Sequence, residues 1–143
     1  MIPFSDQVII VTGASSGIGE AVVRRLSRAG AKLVISARRA DRLEALAREL
    51  DPAGMRVVAV AGDVTNDADR RRLVATAREK FGRIDGLVNN AGYGTRGPVE
   101  LVPVELIRKN FETNLFSLIA LTQLVVPLMR EQTGGVGRDD WLD

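Results

Sequence analysis

The sequence predicts an α/β protein: a doubly wound parallel sheet of about four strands and four helices, with any later strands missing. Three observations predict it. From Gln7 onward, short β-branched runs alternate with longer segments of helical period. The first run, Val8 to Val11, is apolar without a break, as a strand covered on both faces requires. A Gly/Ser-rich turn then joins that run to the first helical segment.

The elements follow in order. Ile18, Ala21, Val22, Leu26 and Ala29 recur at helical spacing, and Gly30 supplies a left-handed stop. Leu33 to Ile35 is the second strand. Asp41, with Glu44 three residues on, reads as a capping box opening a helix that runs through Leu50 and closes at Pro52. Val57 to Val60 is the third strand. Thr65 is placed to cap a helix carrying Leu73, Val74, Ala77 and Phe81, with Gly82 as its stop. Gly86 to Asn90 is the fourth strand, residues 91–98 are loop, and helical period resumes near Val104 and runs to about Met129, with Pro127 tolerated only near an end or at a kink. Residues 1–130 thus read as one unit, and 131–143, with no apolar run long enough for a buried strand, as an unrelated disordered tail.

Composition removes whole classes of function. The chain has 143 residues, of which 45% are hydrophobic and 27% charged, so one globular core can form. It contains no Cys and no His, which excludes disulfides, thiolate nucleophiles, His-based general bases and the usual zinc ligand sets. Net charge is only +2, and the densest basic run, Arg70 to Arg72, follows Asp67 and Asp69, so a solvated helix face is read there and no nucleic-acid footprint. The N-terminus lacks signal-peptide character, and Leu115 to Met129, interrupted by Ser117, Thr122 and Gln123, reads as too short for a membrane span. A soluble, cytoplasmic protein is expected.

The glycine turn, Thr12 to Gly19, sits between the first strand and the first helix, where a phosphate-binding turn of a Rossmann-type sheet must be. Gly13 permits a tight turn, Gly17 lets backbone N–H groups approach a pyrophosphate, and Gly19 lets the helix pack closely on the sheet; Ser15, Ser16 and Ile18 complete the turn. No Lys follows the last Gly, which excludes an ATPase or GTPase loop. Gly13 to Gly17 also matches the G-x-S-x-G elbow of α/β-hydrolases, but that elbow needs a His to deprotonate the Ser.

The spacing Thr-Gly-x-x-x-Gly-x-Gly, together with Asp63-Val64 after the third strand, Asn89-Asn90-Ala91-Gly92 after the fourth and Asn114 in Asn114-Leu115-Phe116-Ser117, resembles the short-chain dehydrogenase/reductase family. The resemblance covers the chain up to Arg130. It implies an NAD(P)-binding oxidoreductase that transfers hydride between cofactor and a small-molecule carbonyl or alcohol. It further implies that Asp63 accepts a hydrogen bond from the adenine amino group while Val64 packs on the ring, that Asn90, Ala91 and Gly92 pass the adenosine ribose, that Asn89 ties neighbouring strands, and that Asn114 is the active-site Asn.

The end of the second strand decides the cofactor. Ser36-Ala37-Arg38-Arg39 contains no acid to bond a ribose 2′-hydroxyl, whereas Arg offers a planar charged fork to a 2′-phosphate. NADP is favoured over NAD, with Arg38 as the reader and Ser15 or Arg39 assisting.

The family's acid/base pair is Tyr-x-x-x-Lys, assisted by a Ser. The one Tyr here is Tyr93, and four residues later stands Gly97. A phenol without a neighbouring cation is a poor base at neutral pH. Tyr93, Thr95 and Arg96 read either as the near edge of a substrate pocket or as plain loop. The expectation is therefore a cofactor-binding half, inactive alone, with two rival readings: a catalytically silent dinucleotide-binding module, or a non-functional truncated product. The fourth strand is expected as an open edge, and Leu118, Leu121, Val125 and Leu128 as part of an exposed apolar patch that drives self-association.

Overall fold

The computed structural model describes residues 4–132. Four parallel strands, β1 (Val8–Thr12), β2 (Lys32–Ala37), β3 (Val57–Ala61) and β4 (Gly86–Val88), lie in the order β3-β2-β1-β4, so β1 is interior and β4 is an edge among the described residues. Helices α1 (Gly17–Arg28), α2 (Ala40–Leu50) and α3 (Asp67–Phe81) make the crossovers. After a 3₁₀ turn at Val99–Leu101, α4 (Val104–Phe111), a π-helical turn (Glu112–Phe116) and α5 (Ser117–Gln132) follow as one helical run.

Alternation of side chains along each strand divides the core in two. Ile9, Val11, Leu33 and Ile35 pack against Val23 and Leu26 of α1 and Leu43 and Leu46 of α2. Ile10, Val34 and Val60 face the other way, onto Leu73, Val74 and Ala77 of α3 and Leu121 and Val125 of α5. All five residues of β1 are buried, which is why that strand carries no polar alternation. Each such Leu or Ile side chain contributes about 1.5 to 3 kcal/mol of burial.

Several local expectations change. α2 is capped by Arg39 without a side-chain bond, so Asp41 lies inside the first turn, where it complements the helix dipole and forms no capping box with Glu44. The α3 cap is Asn66, whose Oδ1 accepts from the Asp69 N–H at 3.1 Å, because Thr65 is occupied with Asp63. The buried stripe of α1 is Gly19, Val23 and Leu26; Ile18 is 77% exposed, since the close approach of Gly19 to the sheet rotates its neighbour outward. β4 is three residues long, Asn89 and Asn90 being drawn into side-chain and turn contacts.

The last helix differs most. Leu121 and Val125 are fully buried, and Leu118 and Leu128 half-buried, so the expected patch is not there. The exposed apolar residues lie further toward the N-terminal end: Phe111, Leu115, Phe116 and Ile119. The run Val104–Gln132 spans 29 residues and is long and apolar enough by length and composition to cross a membrane, which the shorter stretch read from sequence did not show. Within this run α5 packs onto the second core, through Leu121 and Val125, while α4 and the π-helical turn bury no residue. Pro127 lies inside α5 near its C-terminal end with its side chain exposed. Gln132 anchors that end, accepting from the Ile84 N–H and donating to the Ile84 carbonyl, both at 2.8 Å. The tail read at 131–143 lies, beyond Gln132, outside the described residues.

Candidate active site at the carboxyl ends of the strands

A cleft of about 550 Å³ opens where the four strands end, lined by Gly13, Ser15, Ser16, Arg38, Arg39, Asp63, Val64, Ala91, Gly92, Tyr93 and Thr113 among others. Ligands of open α/β sheets bind at this edge because successive crossovers leave a crevice there.

The glycine turn forms one wall. Gly13 has φ +65°, and a Cβ on it would stand 2.8 Å from the Ala91 Cα and from the Asn90 amide nitrogen. Gly19 is as tightly enclosed: a Cβ there would be 2.8 Å from the Gly13 carbonyl carbon and closer still to its oxygen. Gly17, at φ +59°, has nothing within 4 Å of its Cβ position. Two of the three glycines are thus required by packing, while the third keeps space open beside the start of α1. Ser16 caps that helix without a side-chain bond, leaving its positive end to an external anion. The turn thus leaves open space beside the N-terminus of α1.

Side chains tie the turn to the segment after β4. Thr12, 1% exposed, accepts at Oγ1 from the N–H groups of Asn90 and Ala91, both at 3.1 Å. Asn90 donates through Nδ2 to the carbonyls of Thr12 and Gly13 at 3.1 and 3.2 Å. The roles expected for the two asparagines therefore change. Asn90, not Asn89, links the segment after β4 to β1, while Asn89 donates to Thr122 of α5 at 3.1 Å.

At the mouth, Arg39 Nη2 donates to the hydroxyls of Ser15 and Ser16 at 3.1 and 2.7 Å. Arg38, also exposed, lies on the side of Asp63. The Thr65 backbone N–H, at 2.9 Å, holds the Asp63 carboxyl below the usual carboxylate range against the opposing effect of burial, with help from the Thr65 hydroxyl at 2.8 Å and the charge of Arg38. Both Thr65 bonds go to Oδ1, and among the described residues no donor bonds to Oδ2.

Asn114 lies in the π-helical turn. Its Oδ1 accepts from the Tyr93 N–H at 3.0 Å, and its Nδ2 donates to the Tyr93 carbonyl at 2.7 Å and to Asn110 Oδ1 at 3.2 Å. Asn110 donates to the same carbonyl at 2.5 Å. The pair clamps the loop at Tyr93, which lines the cleft, and a Cβ on Gly92 would press on Asn114 at 3.0 Å. Thr12 was read from sequence as the first residue of the turn but without this linking role, and Asn110 was not singled out; an Asn one turn before Asn114 is the trace it leaves.

A model of the short chain dehydrogenase family matches residues 7–136. The chain is 37% identical over 127 residues to 7alpha-hydroxysteroid dehydrogenase of Escherichia coli (strain K12), covering 89% of this chain and 49% of that protein. Among solved structures, it resembles 3-ketoacyl-(acyl-carrier-protein) reductase from Brucella melitensis complexed with NADH, with a TM-score of 0.86, 35% identity, and coverage of 92% of this chain and 53% of the other. L-sorbose reductase from Gluconobacter frateurii complexed with NADPH and L-sorbose is similar at a TM-score of 0.85 and 36% identity, covering 92% and 50%. The chain spans about half the length of these relatives.

Proposed function

The chain belongs to the short-chain dehydrogenase family, and we propose that its cleft binds NADP(H) in preference to NAD(H), in the service of hydride transfer between a nicotinamide and a small-molecule carbonyl or alcohol. The observation that carries the preference is the pair Arg38 and Arg39 at the end of β2, with no carboxylate at these positions. Arg39 already gathers the hydroxyls of Ser15 and Ser16; because those oxygens accept from Arg39, their own O–H groups are free to donate to an anion. Such a cluster suits a phosphate and offers nothing specific to a bare ribose hydroxyl.

The remaining assignments follow the geometry. Backbone N–H groups of the turn and the start of α1 would hold the pyrophosphate, with Gly17 leaving it room. Asp63 would accept from an adenine amino group through Oδ2, Val64 would cover the ring, and Ala91 and Gly92 would flank the ribose. Asn114 would act at the nicotinamide end by holding the Tyr93 loop. The bound nicotinamide supplies the hydride chemistry. The relatives' names range over a hydroxysteroid, a 3-ketoacyl group and L-sorbose, so a carbonyl/alcohol pair is the substrate class they share.

No Tyr-x-x-x-Lys occurs in these 143 residues. We infer that they carry cofactor binding without the acid/base pair, so binding without turnover is the expected behaviour of this chain, as for a catalytically silent module. Fluorescence titration with NADPH and NADH tests it. Tighter NADPH binding supports the preference, equal affinities overturn it, and no binding of either overturns the site and favours a non-functional product. The exposed Phe111, Leu115, Phe116 and Ile119 support self-association through the face formed by the end of α4, the π-helical turn and the start of α5.

A further inference from the structure

The loop between β3 and α3 is held from an unexpected direction. Asp69, in the first turn of α3, lies three residues after the Asn66 cap, where an acid ordinarily reaches back to the cap's own N–H. It does not do so here. The Asn66 N–H donates to the Asp63 carbonyl at 2.9 Å, and Asp69 Oδ2 reaches past the cap to accept from the Asp63 N–H at 2.8 Å. Its other oxygen accepts from Arg72 at 2.9 Å, and the same Arg72 nitrogen donates to the Ala61 carbonyl at 2.5 Å. Asp69 and Arg72 therefore brace both sides of Gly62. The fit around Gly62 is tight, since a Cβ there would stand 3.0 Å from Asp69 Cβ and Cγ and would shift that side chain by a few tenths of an ångström.

We propose that Asp69 is a positioning residue for adenine recognition: by fixing the Asp63 N–H it sets the backbone from which the Asp63 carboxylate presents its free oxygen to the cleft. The inference rests on the reading of the cleft as a dinucleotide site. Its chemistry is that of a preset acceptor. A carboxylate whose backbone is pinned on one side by Asp69 and whose Oδ1 is held by Thr65 has one direction left for Oδ2. A base that offers an N–H donor there is selected over one that offers a carbonyl.

The test compares NADPH with its hypoxanthine counterpart, in which the 6-amino donor is replaced by a carbonyl oxygen. The wild-type chain binds the adenine form about tenfold more tightly, the return from one charge-assisted hydrogen bond. In Asp69→Ala that ratio falls toward one. In Asp69→Asn it is restored, because the carboxamide oxygen can accept from the same N–H. Gly62→Ala, whose methyl shifts the Asp69 side chain by a few tenths of an ångström without removing it, lowers the ratio by a smaller factor and serves if Asp69→Ala does not fold. A merely structural role would weaken both probes together and leave the ratio unchanged. Hydrogen exchange of the Asp63 amide, measured without ligand, speeds up in Asp69→Ala and recovers in Asp69→Asn. A wild type that binds both probes alike overturns the adenine reading of Asp63. A wild type that discriminates, with an Asp69→Ala variant that discriminates equally and exchanges Asp63 no faster, overturns the role of Asp69.

Discussion

Replacing Gly19 by Ala sets two effects of opposite sign against each other. Gly19 is the third residue of α1 and buried, and in an ordinary helix Gly→Ala stabilises by up to about 1 kcal/mol. Here the new methyl would overlap the Gly13 carbonyl and the Asn90 amide nitrogen. Neither can withdraw freely: Gly13 is itself hemmed in by Ala91, and the Asn90 amide holds the Thr12 and Gly13 carbonyls. Overpacking costs about 1 to 3 kcal/mol, and displacing the amide sacrifices about 1 kcal/mol for each of two hydrogen bonds. The steric cost outweighs the propensity gain, and a net loss of about 2 to 4 kcal/mol is expected. For a chain of this size that lowers the melting temperature by about 6 to 13 °C. Thermal unfolding followed by circular dichroism reads it, with Gly17→Ala as the comparison. At Gly17 the added methyl meets nothing, so that variant suffers only the left-handed backbone strain of about 1 to 2 kcal/mol and should lose pyrophosphate binding out of proportion to its stability. A Gly19→Ala chain as stable as the wild type, or more so, refutes the close-packing account of the turn.

Leu121→Ala should destabilise by about 2 to 5 kcal/mol in urea unfolding, because the side chain is 1% exposed and closes α5 onto the sheet; Leu118→Ala, half-buried, should lose much less. Arg38→Asp should weaken NADPH binding by about 2 to 3 kcal/mol and NADH binding little, with Arg39→Ala acting in the same direction; equal losses for both cofactors would show that neither reads the phosphate. The Asp63 carboxyl is depressed in the folded chain, first by the Thr65 N–H, so its contribution to stability is fully present above the ordinary Asp value of about 3.9 and is lost as pH falls through the folded value. Stability measured from pH 6 down to pH 2 should show that acid limb, shallower in Asp63→Asn. Phe116→Asp, at an exposed position, should shift sedimentation toward monomer without lowering stability; an unchanged distribution would place association elsewhere.

What could be read directly were features with local causes. The bounds of α2 through Leu50, the left-handed Gly82 after α3 and the uninterrupted burial of β1 each follow from a few adjacent residues, because helix period, turn chemistry and strand burial act over short spans. The glycine turn was legible for the same reason: its position after a strand and before a helix already states its role. Where several side chains compete for one local job, sequence was a poor guide. Thr65 and Asn66 are both good caps, and the loser was decided by Asp63, which takes both Thr65 donors.

By itself, then, the sequence determined the α/β class, the order of elements, the glycine turn and the basic end of β2, since each depends on residue type at fixed short spacing. The tertiary structure alone decided what joins segments far apart in the chain. It put the tie between turn and fourth strand on Asn90 and Thr12, which are 78 residues apart, and the clamp on the Tyr93 loop on Asn110 with Asn114. It also chose which face of the last helix is buried, because that helix is apolar on more than one side and only contact with the sheet, at Leu121 and Val125, distinguishes them. A hydrogen bond or a packed methyl depends on distance in space, and no periodicity along the chain encodes distances between residues brought together by folding.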